Sequence, residues 1–440
     1  MTHDLTKGKI TPLLINFTIP LVLGNFFQLT YNAVDSIIVG KYVGTEALAA
    51  VGTANPLVSI AILFISGMCM GASILMSTQY GAKKYDVLKR QISTTMLSGL
   101  VFSLLFAVVC ILLLNPILRL MQVPQKIIPM TSDFLRIMFL GLAFTFLYNF
   151  LANTLRALGD SRTPLYFLMT SAILNVIGDL IFVVWFHWGV TGSAISTVCC
   201  EGLSCLFCAV YIKRKVPFLQ LGKQWMVFDK SLLSKTLSYG NTSALQQACL
   251  QMGKLIIQSL VNTMGINAMA AFNAVSRIDD FAYTPEQNIG HAMTTLLAQN
   301  RGAEKNDRIR KGFSSGLMIE FFYSLFLFFV IFFGAPYLMN LFVKPGQTEV
   351  VRLGTQFLHL IAAMYILPAF TNGLQGYFRG MGDLKVTLWS TTMNMVGRVA
   401  AAFFLAPRLG ISGFAYANLA GWILMLICEL PLLIQNLRQW

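Results

Sequence analysis

The sequence predicts an all-α integral membrane protein: twelve transmembrane helices in two pseudo-symmetric six-helix bundles around a central cleft. Three observations predict it. Of 440 residues, 56% are hydrophobic and 11% charged, and the mean hydropathy is +0.67, more apolar side chain than a soluble surface can carry. Apolar runs of about 20 residues or more recur along the whole chain between short polar breaks. Several of those breaks carry near-copies of one another half a chain apart.

The apolar runs fall at 12–39, 47–78, 92–114, 133–155, 163–186 and 190–212, then at 236–262, 266–298, 313–335, 350–377, 385–406 and 411–435. The opening MTHDLTKGKITP is polar and lacks the charged, apolar, small-residue order of a cleaved leader, so the first run is expected to stay as a helix. The longest polar stretch, 213–235, links residues 1–212, the first bundle, to 236–440, the second.

A formal charge of +14 could suggest nucleic acid, but in a membrane protein basic residues mark cytoplasmic loops. With the N-terminus inside, 22 of the 32 Lys and Arg fall on the inner side and six on the outer, while Arg136, Lys254, Arg277 and Arg398 lie in or beside spans. Both termini are therefore expected in the cytoplasm of a multi-pass plasma-membrane protein, and topology accounts for the charge without a nucleic-acid partner.

Self-similarity fixes the organisation. "RALGDSRTP" (156–164) recurs as "RGMGDLKVT" (379–387), "TQYGAKKYD" (78–86) as "AQNRGAEKND" (298–307), "GTEALAA" (44–50) as "GINAMAA" (265–271), and "GVTG" (189–192) as "GISG" (410–413). Six helices per repeat is an even number, so both repeats run the same way through the bilayer, about an axis along its normal. Such pairs work by alternating access.

No enzyme or cofactor is expected. The histidines (3, 187, 291 and 359) are scattered, and there is no P-loop, HExxH or Gly-x-Ser-x-Gly. All eight cysteines sit in apolar stretches, and the CxxC at Cys205 and Cys208 lacks a zinc-like partner cluster. Without an ATP site, energy must come from an ion gradient or the substrate's own gradient.

Intramembrane polar residues then stand out. At about 1.5 Å per residue, Asp35 lies about 6 Å below the outer end of the first span, and Asp179 and Thr197 about 10 Å below the outer ends of the fifth and sixth. Asn175 is four residues before Asp179, on the same helical face and one turn deeper. A carboxylate in lipid costs about 2.5–3.5 kcal/mol, so these residues should face a bundle interior and mark an ion path. Two nearby carboxylates can hold a proton; with a carboxamide and a hydroxyl they equally suit a small hard cation such as Na+. For Asp35 the alternative is a solvated helix end.

"PLVLGNFFQLTYNAVDSIIVGKYVGTEALAAVG" (20–52), "RALGDSRTP", "AQNRGA" (298–303) and the double repeat resemble the multidrug and toxin extrusion (MATE) transporters. The resemblance implies export of amphipathic or cationic compounds in exchange for inward H+ or Na+, by a monomer. It is closer to the DinF-like branch, whose cation site uses residues matching Asp35, Asn175, Asp179 and Thr197. It also matches Pro20, where a missing N–H bends the first helix, either as a switching hinge or as a static kink. The NorM-type branch places acids in helices seven and ten. "ALQQACLQMGKLIIQSLV" (244–261) and "FLHLIAAMYILPAFTNGLQGYF" (357–378) have none, so that site is not expected.

The second half instead carries Lys254, the run with Arg277, Asp279 and Asp280, and Arg398. Arg277 is expected to pair with the acids in a network lining the cleft, or in an internal brace. These basic residues also keep open a second function from the same superfamily, a flippase of lipid-linked intermediates. Most of the 34 Phe and 21 Met should face lipid or pack between helices, and "GMCMG" (67–71) reads as a small-xxx-small contact.

Overall fold

A computed structural model describes residues 4–121, 123–216, 227–343 and 346–438. Most of the central linker (217–226, with Lys223), and also His3 and Lys344, lie outside the described residues. The first half holds α1 (Ile10–Tyr42), α2 (Thr45–Gly81), α3 (Tyr85–Leu120), α4 (Ile128–Leu140), α5 (Leu142–Ala157), α6 (Arg162–Asp179) and α7 (Gly189–Lys215). The second holds α8 (Lys230–Asn262), α9 (Ile266–Gly302), α10 (Asn306–Phe342), α11 (Thr348–Ala362), α12 (Ile366–Met381), α13 (Leu384–Leu409) and α14 (Ser412–Arg438). A π-helical turn, Leu180–Trp185, continues α6, and no strand occurs among the described residues.

α4 and α5 are bent by 45° and α11 and α12 by 53° at their short breaks. Taking each bent pair as one rod gives the twelve rods the apolar runs predicted. Seven helices, or nine rods with the bent pairs, are long and apolar enough to cross a membrane. The remaining three, α8, α9 and α13, carry Lys254, the Arg277–Asp280 run and Arg398; their polarity has to be absorbed by neighbouring helices.

The internal repeat is written in the backbone. Gly159 and Gly382, the glycines of the two RxxGD segments, have φ of 83° and 84°. In both, the following aspartate N–H reaches back five residues, Asp160 to the Leu155 carbonyl at 2.9 Å and Asp383 to the Phe378 carbonyl at 2.8 Å. This is a left-handed helix C-cap that only a residue without Cβ adopts cheaply. Asp160 then starts α6, accepting hydrogen bonds from Thr163 N at 3.0 Å and Thr163 Oγ1 at 2.7 Å. The same pairing holds for Lys83 and Glu304, with φ of 55° and 56°, and for Gly189 and Gly410, with 58° and 61°. The repeated segments are thus punctuation: they end and restart helices at equivalent points.

The chain forms two compact units, one built on Ile19–Ala244, the other on Leu5–Thr18 together with Leu245–Trp440. In the first, the small-residue stretch of α2 packs against the start of α8. A Cβ on Gly67 would come within 2.6 Å of Ala244 Cα, and one on Gly71 within 2.4 Å of Gly240 N. The second unit is tied by a buried amide: Gln375 donates to Ser390 Oγ at 2.9 Å and Glu429 Oε1 at 2.6 Å, and accepts from Gln246 Nε2 at 2.7 Å. One side chain of α12 thereby joins α8, α13 and α14.

On α10, Phe322, Phe326, Phe329 and Phe333 are each more than half exposed. Their spacing of four, three and four residues makes one helical stripe, the face of a spanning helix turned to lipid.

Candidate functional site

Three helices of the first unit supply the site. Near the C-terminal end of α1, Asp35 is half-buried. Ser193 Oγ, fully buried in the first turn of α7, donates to Asp35 Oδ1 at 2.7 Å. Asp179, the last residue of α6, is 0% exposed. Its polar neighbours are the Asp35 carboxyl and the Ser196 hydroxyl, yet neither of its carboxylate oxygens has a hydrogen-bond partner. Two carboxylates are both acceptors, so nothing in the pair can donate until a proton or cation arrives.

The local backbone explains how Asp179 is delivered. α6 gives way to a π turn immediately after it, with Phe186 N–H reaching back to the Ile181 carbonyl at 2.9 Å. Such wider turns concentrate at functional positions. α7 approaches closely on either side: a Cβ on Gly178 would stand 2.4 Å from Ser196 Oγ, and one on Gly192 would be 3.0 Å from the Phe182 carbonyl.

Asn175 is 3% exposed. Its Nδ2 donates to Ser196 Oγ at 3.2 Å and Thr197 Oγ1 at 3.3 Å, and Ser196 Oγ donates back to the Asn175 carbonyl at 3.0 Å. Its Oδ1 is buried without a partner. The structure therefore brings Asp35 beside Asp179, and Asn175 beside Thr197, on adjoining helices. The grouping offers three carboxylate or carboxamide oxygens of Asp179 and Asn175 with no donor committed to them.

Three polar residues escaped the sequence reading. Ser193 and Ser196 join the site, and Glu201 accepts a hydrogen bond from Thr145 Oγ1 of α5. Ser193, Thr197 and Glu201 are spaced by four, one face of α7, so helical periodicity from Thr197 was the signal that could have found them. Tyr31, one turn before Asp35 on α1, has both Glu201 and Asp35 as charged neighbours.

Pro20 is buried within a helix that continues without interruption from Ile10 to Tyr42. It lies two residues beyond Thr18, where α1 passes from one compact unit to the other.

In the second unit the charges are arranged differently from the expectation. Arg277 is exposed and makes no ion pair among the described residues. Lys254 Nζ of α8 instead stands 3.8 Å from Asp280 Oδ1, and Asp279 Oδ1 accepts a 2.5 Å hydrogen bond from Tyr365 Oη. Arg398 of α13 is the nearest guanidinium influence on Asp279. Arg277 and Asp279, two apart on a helix, point to opposite sides, while Asp280, three apart, stands by Lys254 instead.

Comparison with known proteins agrees with this architecture. The MatE family model matches twice, at residues 20–181 and 243–404, one match per repeat. The probable multidrug resistance protein YpnP of Bacillus subtilis is 31% identical over 88% of this chain and 86% of its own length. The multidrug export protein MepA of Staphylococcus aureus is 22% identical over 94% of this chain and 91% of its own. A solved MATE structure in the bent conformation superposes with a TM-score of 0.92 at 21% identity, covering 99% of this chain and 98% of that one. An outward-facing multidrug resistance MATE family transporter gives 0.89 at 21% identity, over 97% and 95%. With both repeats matched and nearly the whole chain aligned, the protein belongs to the MATE family.

Proposed function

We propose that this protein is a secondary antiporter of the plasma membrane, exporting amphipathic or cationic drugs and toxins in exchange for H+ or Na+ by alternating access. The carrying observation is the meeting of Asp35 and Asp179. Asp179 is wholly buried with both oxygens unpartnered, and its carboxyl neighbour is Asp35. An uncompensated carboxylate in such a place costs several kcal/mol, which binding of a proton or a small cation offsets. Asn175 and Thr197 complete an oxygen set for either ion, as in the DinF-like branch, and Pro20 serves as the hinge of α1. The relatives named for multidrug export and resistance support the substrate class.

In this reading the protein works as a monomer with both termini in the cytoplasm. It has a six-helix bundle in 1–212, a linker in 213–235 and a second bundle in 236–440. The flippase alternative called for a lipid-facing portal and a strongly cationic cavity; Lys254 stands by Asp280 and Arg398 has Asp279 as a charged neighbour, which leaves Arg277 as the one of these three basic residues without an acidic neighbour among the described residues, so the antiporter reading is preferred.

The test is drug accumulation in an efflux-deficient host expressing either the native chain or Asp35→Asn, under imposed pH and Na+ gradients. Native protein should lower accumulation when a gradient is imposed and Asp35→Asn should not. Equal export by both sinks the coupling assignment, and comparing the two gradients identifies the ion.

A further inference from the structure

The second unit holds a pair of acids that the site above does not use. Glu286 of α9 is 0% exposed and Glu320 of α10 is 1% exposed. All four of their carboxylate oxygens are buried and without a hydrogen-bond partner, and neither forms an ion pair among the described residues. Glu286 is the charged neighbour of Glu320. Their level agrees: Glu286 lies 16 residues before the end of α9 and Glu320 lies 14 after the start of α10. Measured from the turn joining these antiparallel helices, that is about 24 Å and about 21 Å.

The surrounding groups cannot serve the pair as counter-charges. Tyr323 Oη is already donating to the Ala282 carbonyl at 3.1 Å. Asp279, the next acid along α9, adds negative charge beside Glu286. Tyr365 donates to Asp279, and Arg398 of α13 has Asp279 and Tyr283 as its partners in charge. Tyr283 and Asn372 of α12 are neighbours of each other near the same acids. The Asn372 Nδ2 is unpartnered, and a Cβ on the adjacent Gly373 would lie 4.0 Å from Glu320 Cγ. Pro285, immediately before Glu286, removes one N–H from the α9 ladder at this level.

Two neighbouring buried carboxyls repel as anions, so one of them can hold a proton. A metal ion would need more ligands, and no group of three His, Cys, Asp or Glu suited to a metal occurs among the described residues. The pair is not a relic of the repeat: in the first half the acids stand on α1 and α6, here on α9 and α10.

We propose that Glu286 and Glu320 form a second, separate proton-binding site inside the C-terminal unit, taking up one proton and releasing it during the transport cycle. Uptake forms one O–H bond on either carboxyl from a proton of water; release breaks that bond and returns the proton to water. The site is independent of the Asp35–Asp179 reading, and the two can fail separately.

The experiment measures protons released per molecule by the purified full-length protein in lipid nanodiscs on titration from pH 5 to pH 9, alongside infrared absorption in the protonated-carboxyl region. Native protein is compared with Glu286→Gln, Glu320→Gln, the double variant and Asp35→Asn. The proposal expects a protonated-carboxyl band that disappears with rising pH in the native protein and in Asp35→Asn. It expects that band, and one released proton, to be missing from the double variant. If the double variant does not fold, either single variant, which removes the neighbouring negative charge, should lose its band at lower pH than the native protein. A double variant releasing as many protons as the native protein, or failing that single variants whose band disappears at the native pH, overturns the proposal, as does a band that does not respond to pH or one displaced by Na+ alone.

Discussion

Ser193 Oγ donates to Asp35 Oδ1 at 2.7 Å, joining the N-terminal part of α7 to the C-terminal part of α1. The hydroxyl is fully buried and the carboxylate it meets is half-buried. A hydrogen bond to a charged group contributes about 1.5–3 kcal/mol. Because the bond favours the ionised carboxylate over the protonated one, Ser193→Ala should leave the protein folded and tighten binding of a coupling proton by about tenfold or more. Ser193→Thr, which keeps the hydroxyl, should change it much less. Ion-concentration dependence of drug export in proteoliposomes reads the difference, and equal dependence in Ala and native protein would show the bond to be incidental.

The close crossing of α2 and α8 predicts opposite signs for two glycines of one helix. A Cβ on Gly71 would meet backbone at 2.4 Å, while one on Gly52 would meet nothing within 4 Å. Gly71→Ala must push α8 away and should cost about 1–3 kcal/mol. Gly52→Ala only stiffens the helix and should stabilise by up to about 1 kcal/mol. Melting temperatures of the two purified variants in one detergent should move in opposite directions from native.

The parts of this molecule that were legible in its sequence are those that depend on local composition or on counting along a helix axis. Twelve apolar runs and the doubled punctuation are of that kind, as is the four-residue spacing of Asn175 and Asp179, since rise per residue is nearly constant. Rotation about the axis is another matter, because packing partners set it. Arg277 thus points away from Asp279, and Ser193 and Ser196 acquire their partners only through the packing of α7 on α1 and α6. The π turn after Asp179 adds a local change of phase that a 3.6-residue period does not anticipate. Glu286 and Glu320 lie in the eighth and ninth spans, and only the packing of α9 on α10 makes them neighbours.

In the second unit, two polar contacts should differ sharply in their contribution. Tyr365 Oη lies 2.5 Å from Asp279 Oδ1 with Tyr365 1% exposed. Lys254 and Asp280 are 3.8 Å apart, with side chains 60% and 51% exposed. Tyr365→Phe leaves a carboxylate short of its donor and should destabilise by about 1.5–3 kcal/mol. Lys254→Met removes an open pair and should change stability by at most about 1 kcal/mol. Thermal unfolding of both variants tests the ranking. If Tyr365→Phe instead unfolds like native yet alters substrate range, the network serves transport rather than bracing.

Pro20 offers the last discrimination, between a static kink and a moving hinge. Its ring nitrogen has no proton for the carbonyl of Asn16, and a proline inside a helix costs about 3 kcal/mol relative to alanine. α1 nonetheless continues through it, at the place where the chain leaves one compact unit for the other. Pro20→Ala restores the missing bond, so α1 should stiffen and the melting temperature rise in either case. Transport separates the two roles. A hinge that must bend in each cycle predicts a several-fold lower export rate with substrate binding unchanged, whereas a static kink predicts the native rate from the more stable protein.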